Sequence, residues 1–187
     1  MKKTNGHHLV LGELTDFLTG RQIQDTHDER YRQAIARLLV AQKGFEKEEI
    51  RSQWKLRVAA GDNCAIIQID FSILIKDRVC MVIRYAPGSL VTRHRPALAA
   101  SRTLTGYQIP VVVVTNGREA DILDGTSGTV TARGLAAIPS KQELLQSIEA
   151  ADFGKISEDR FAKEMRILYA YDVDDSCPCD NAVCRLP

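Results

Sequence analysis

The sequence lacks any run of apolar residues long enough to cross a bilayer as a helix, which takes about 20. It also carries almost no net charge: 25 Lys and Arg against 24 Asp and Glu give a formal +1. A chain so balanced has no global field to gather nucleic acid or an anionic membrane, so any binding patch has to be local. Five cysteines, an odd number, fit reduced thiols better than a disulfide framework. No cleavable leader is expected, because the apolar segment in MKKTNGHHLVLGELTDF is interrupted by Glu13 and Asp16. These absences make the cytoplasm the expected compartment. Internal repeats, low-complexity tracts and a dividing linker are missing too. No G-x-x-x-x-G-K-[ST] loop occurs (Gly154-Lys155 runs into Ile156), so no ATPase is expected of these residues.

What is present suffices for one core: 187 residues, 44% of them hydrophobic. Residues 9–20 read as a short helix ended by Gly20. A second helix follows, capped by Asp25 or Thr26, with Asp28 and Glu29 in its first turn and a stripe of Tyr31, Ile35, Leu38 and Leu39. Trp54, Leu56 and Val58 alternate with polar neighbours up to the turn Gly61-Asp62-Asn63, as a half-buried strand does. Residues 89–105 predict helix, with Pro96 expected to start a second helix after a loop bearing Arg93, His94 and Arg95. Val111 to Thr115 is a β-branched run suited to a central strand, and Asn116-Gly117 turns it into a strand over 120–123. An edge strand over 129–132 and helices over 140–151 and 157–170 complete an α/β sandwich with a mixed sheet.

The centre of the pattern is CAIIQIDFSILIKDRVCMVIRYA, residues 64–86. Ile67, Ile69, Phe71, Ile73 and Ile75 alternate with Gln68, Asp70, Ser72, Leu74 and Lys76, and Val79 to Tyr85 alternate again, which predicts an antiparallel hairpin. An odd loop over Lys76, Asp77 and Arg78 pairs Ile75 with Val79 and sets Asp70 opposite Arg84. A two-residue turn sets Asp70 opposite Tyr85. The first register is favoured, because it keeps the charged pair on one face.

DERYRQAIARLL, QIDFSIL and VVVVTNGREADIL, in that order of elements over about residues 26–150, resemble the N-terminal domain of type I restriction enzyme R subunits, of the PD-(D/E)XK nuclease superfamily. The resemblance implies a restriction-endonuclease-like sandwich over 26–172, preceded by a helical extension (1–25) and followed by a Cys-containing tail (173–187). It also implies a site in which an Asp and an acid-x-Lys hold Mg²⁺, which polarises a scissile phosphate while the lysine helps activate water. Asp70 falls on the family's Asp. The acid-x-Lys falls on Arg84-Tyr85-Ala86, so the acid has become Arg84 and the lysine Ala86. A guanidinium cannot deprotonate, and it opposes a divalent cation where the family has a carboxylate. Asp70 therefore reads as vestigial, paired with Arg84 across the strands, and no metal or other cofactor is expected unless the site has moved. Glu29 and Lys76 are the residues a relocated site would draw on.

Arg93, His94, Arg95 and Arg102, together with Arg84, are the candidate nucleic-acid contacts, since guanidinium groups grip phosphate bidentately; a solvated basic loop explains them equally well. Cys177, Cys179 and Cys184 supply three soft ligands that would need His7, His8 or another chain to complete a zinc site; a plain tail is the simpler reading. Three functions follow: an inactive domain that binds nucleic acid or a protein partner, an active Mg²⁺ endonuclease with relocated residues, and a purely structural interaction module. The oligomeric state is left open.

Overall fold

The computed structural model describes residues 10–174 and 184–186, and within them the chain begins with a hairpin of β1 (Gly12–Thr15) and β2 (Gln22–Asp25). A helix was expected over this segment. Asp16 decides otherwise: its Oδ1 accepts from the Thr19 backbone N–H at 2.7 Å and from the Thr19 hydroxyl, and Gly20 takes φ 72°. That side-chain-closed turn outcompetes helix propensity and brings Leu14 opposite Ile23. Helix α1 (His27–Ala41) follows, with Thr26 as its N-cap accepting from the Glu29 N–H.

The main sheet runs β3 (Ile50–Ala60), β4 (Asn63–Ile75), β5 (Arg78–Tyr85), β6 (Val111–Thr115), β7 (Ala120–Asp124), β8 (Val130–Arg133). All neighbours are antiparallel except β5 and β6, which helix α2 (Val91–Thr103) joins as a parallel crossover. Helices α3 (Lys141–Glu149) and α4 (Glu158–Tyr169) complete two layers. One face is packed by α1 and α3 through Ile35, Leu39, Phe71, Met81, Ile83 and Leu144; the other by α2 and α4 through Val58, Ile69, Val82, Ala99, Val114 and Leu168. A short strand β9 (Cys184–Leu186) pairs with β4 at Cys64–Ile66, so part of the expected tail belongs to the sheet. His7, His8, Cys177 and Cys179 lie outside the described residues.

Two features of the hairpin differ from the sequence pattern. Its turn has two residues, Lys76 and Asp77, both at positive φ (49° and 62°), the type I′ geometry that matches strand twist. Ile75 therefore pairs with Arg78, but a bulge between Ile73 and Leu74 on the ladder absorbs one residue of β5. Phe71 then pairs with Ile83, and the same register puts Asp70 opposite Arg84. The expected pairing is reached by a different route. Second, the β3–β4 ladder is interrupted at Gln53, φ 49°, which lies opposite Asp70. Across this kink Ile67 and Ile69 join the α2/α4 core, whereas Phe71, Ile73 and Ile75 join the α1/α3 core. Strict alternation predicts one face for all five.

Pro96 lies inside α2, which runs unbroken from Val91, and no separate helix starts there. The N–H that proline lacks would have bonded the carbonyl of Thr92, an exposed residue of the first turn, where a free carbonyl costs least.

Two substitutions of opposite sign test this backbone. Gly117 has φ 85°, and a Cβ there would sit 2.4 Å from Cδ1 of Tyr31, so Gly117→Ala should destabilise by about 2 kcal/mol or more. Asp77→Gly relieves a left-handed residue in the turn and should stabilise by about 0.5–1 kcal/mol. Urea unfolding should move the midpoint in these directions at unchanged slope.

Candidate functional site

The kink turns Asp70 toward α1, and two arginines meet it there. Its Oδ1 accepts from Arg32 Nε at 2.8 Å; its Oδ2 accepts from the Tyr85 backbone N–H at 2.9 Å and lies 3.6 Å from Arg84 Nε. Arg32, from the middle of α1, also donates through Nη1 to Glu29 Oε2 at 3.1 Å. Arg84 donates through Nη2 to Asp172 Oδ2 at 3.0 Å. The result is a chain of alternating charge, Glu29–Arg32–Asp70–Arg84–Asp172, with Asp70 at its centre and only 8% exposed.

Neighbours hold each member in place. Gln33 donates to Glu29 Oε1 at 2.9 Å and to Asp16 Oδ2 at 2.7 Å, so the β1–β2 hairpin is docked beside the network. Tyr85 stacks on Tyr31 with ring centroids 5.9 Å apart, lies under the Arg32 guanidinium, and donates its hydroxyl to Asp28 Oδ1 at 3.0 Å. Asp172 arrives on the turn Ala170–Asp174, anchored by the buried Val173. Burial works against the charge of Arg32, but Asp70 and then Glu29 outweigh it and raise its pKa. Burial opposes Arg84 likewise, and Asp172 and Asp70 more than compensate. Burial, then the hydrogen bond to Asp28, pushes the Tyr85 phenol above its ordinary range. Both guanidiniums are therefore permanently charged.

Mg²⁺ does not fit this donor set. At about 4 Å and an effective dielectric of about 20, a divalent ion and a guanidinium repel by about 8 kcal/mol, as much as one carboxylate would attract it. Two guanidiniums beside Asp70 cancel two of the neighbouring carboxylates. Among the described residues no three His, Cys, Asp or Glu side chains are grouped to hold a metal ion. Ala86, where the resemblance would put a lysine, offers only a backbone N–H, spent on the Thr115 carbonyl at 3.0 Å. Lys76 lies in the hairpin turn, at the far end of β4 from Asp70. Glu29 is brought to the site, but through Arg32.

The expected basic cluster is dispersed. Arg102 is buried, bonded to Glu164 Oε1 at 2.9 Å and Gln108 Oε1 at 3.1 Å, so it is a core ion pair and is withdrawn from any surface. Arg95 reaches the other oxygen of Glu164 at 2.5 Å, with its side chain 40% exposed. His94 Nε2 is 2.8 Å from Asp121 Oδ2, while Arg93 is half-buried. The extended part of α2, unbroken at Pro96, is what separates these side chains around the helix. Arg84 points into the Asp70 network and away from solvent.

Two members of the network carry no sequence signal of their role. Arg32 is visible only as a cation three residues after Glu29 on the same helix face. Asp172 is 88 residues from Arg84 and has no signal at all.

Arg84→Met should leave the half-buried Asp172 without its partner and cost about 2–3 kcal/mol of stability, with most of it recovered in Arg84→Met/Asp172→Leu. A double-mutant cycle from urea unfolding checks this.

No curated protein and no solved structure matches the chain. The family model that does match is the type I restriction enzyme R protein N terminus (HSDR_N), over residues 27–139, which spans α1, the Asp70 hairpin, α2 and β6 to β8. More than half of the chain is covered, and the fold is the mixed α/β sandwich expected of that match: the chain belongs to the family of type I restriction enzyme R protein N-terminal domains.

Proposed function

We propose that this domain is a non-cleaving member of its family and works by binding nucleic acid or a protein partner. The supporting observation is the charge chain around Asp70. In it, Arg84 stands where the family resemblance calls for a second acid, and both Asp70 oxygens already have donors. A carboxylate engaged by two fixed cations has little affinity left for a divalent ion, and without one there is no Lewis acid to polarise a phosphate. What the pocket supplies is rigidity: α1, β4, β5 and the turn after α4 are tied together by groups that lose heavily if any partner is removed.

Calorimetric titration of Mg²⁺ and Mn²⁺ tests this reading, with Asp70→Ala and Arg84→Glu/Ala86→Lys alongside. The natural protein should give no binding heat, and the double variant, which restores the acid and the lysine, should bind in the high-micromolar to millimolar range. Binding by the natural protein that vanishes in Asp70→Ala, followed by metal-dependent plasmid cleavage, would overturn it in favour of an active endonuclease.

A further inference from the structure

Away from the Asp70 network, the cations of α2 and α4 gather around a single carboxylate. Glu164 is 3% exposed; it takes Arg102 and Arg160 on Oε1, the latter at 3.7 Å, and Arg95 on Oε2. Three guanidiniums thus share one negative charge. Arg102 shows the excess: its pKa is lowered by burial, and although Glu164 opposes this, Arg160 and Arg95 add to it. Arg102 is enclosed. Arg95 and Arg160 are not, with side chains 40% and 50% exposed, so their remaining N–H donors face water.

From Arg160 the positive face continues along α4. Lys163 and Arg166 follow at intervals of three, which places them as successive neighbours on the helix surface, and both are exposed. Among the described residues neither has an ion-pair partner. Of the acids of α4, Glu164 is buried, and Glu158 and Asp159 lie in the first turn, where they complement the helix dipole; Asp159, exposed one turn before Lys163, is the acid on this face. Helix α2 contains no acid at all. In a chain whose net charge is +1, this is a concentrated excess.

The surroundings narrow the partner. No large apolar side chain is exposed on α4, and its apolar face is packed into the core through Met165, Ile167 and Leu168. A membrane-surface helix needs that face free, and a protein interface needs an apolar anchor. Single-stranded nucleic acid is held by successive exposed aromatic platforms; among the described residues α4 has none, and the one exposed aromatic nearby is Tyr171, in the turn after it. A row of guanidinium and ammonium groups, with a single exposed valine (Val91) one turn before Arg95, fits the regularly spaced phosphates of a duplex.

We propose that Arg95, Arg160, Lys163 and Arg166 form a ridge that docks on the phosphate backbone of double-stranded nucleic acid. The ridge lies apart from the Asp70 network, and α4 falls outside the residues that the family model matches. The inference rests on the non-cleaving, binding role only in that it names the partner and the surface.

Fluorescence anisotropy with a short labelled DNA duplex, in EDTA, tests it. Four phosphate contacts predict a log–log salt slope of about −3 to −4 between about 50 and 200 mM. Lys163→Glu/Arg166→Glu, at two exposed positions, should weaken binding by at least about tenfold and flatten the slope by about 2. Arg118→Glu, in the β6–β7 turn, should leave both unchanged. The proposal is overturned if the natural protein shows no salt-dependent binding or if the double variant binds like it. A preference for a single strand of the same length, or for anionic vesicles, would overturn it as well. Because EDTA removes divalent ions, failure here leaves the metal titration at Asp70 standing, and a metal-binding Asp70 leaves this test standing.

Discussion

A single desolvated carboxylate organises the centre of this domain. Asp70 sits where the long β3–β4 hairpin kinks, and burying its charge is tolerable only because two hydrogen-bond donors and a second guanidinium reach it from three directions. Arg32 comes from α1, the Tyr85 N–H from the end of β5, and Arg84 from across the strand. Each donor has a second commitment: Arg32 to Glu29, Arg84 to Asp172, Tyr85 to Asp28 and Tyr31. One acidic group therefore couples the first helix, the hairpin and the turn after the last helix.

The kink also explains why both faces of the sheet are covered. By switching faces at Asp70, β4 sends Ile67 and Ile69 to the α2/α4 layer and Phe71, Ile73 and Ile75 to the α1/α3 layer. The family match ends at residue 139, and each helical layer is completed beyond it, the α1 layer by α3 and the α2 layer by α4. Helix α4 then carries two different faces: apolar residues in the core and a row of cations outward. Arg84, where the resemblance would put a second acid, is paired with Asp172, beyond the matched region. A buried cation calls for a compensating charge, and the chain supplies it from a later element.

Most of the architecture was legible. The periodicity around Tyr31–Leu39, Trp54–Val58, the 64–86 hairpin and Val111–Thr115 depends on which residues are apolar, and burial rewards that pattern directly. The failures are of one kind. At residues 9–20, a turn closed by the Asp16 side chain beat a weak helical pattern. At Pro96, the missing donor fell where the carbonyl could face water. At Arg102, a cation counted as surface is buried because Glu164, 62 residues later, receives it.

The sequence by itself determined the fold class, the family and the Asp70–Arg84 pairing, because local pattern and residue identity carry those facts. Only the tertiary structure decided where each charge is spent. Arg32 and Asp172 joined the Asp70 network, Arg102 was withdrawn into the core, and Lys163 and Arg166 were left exposed, without an ion-pair partner among the described residues. The physical reason is that an ion pair forms between residues any distance apart in the chain. Its strength depends on separation and desolvation, which exist only once the layers are packed.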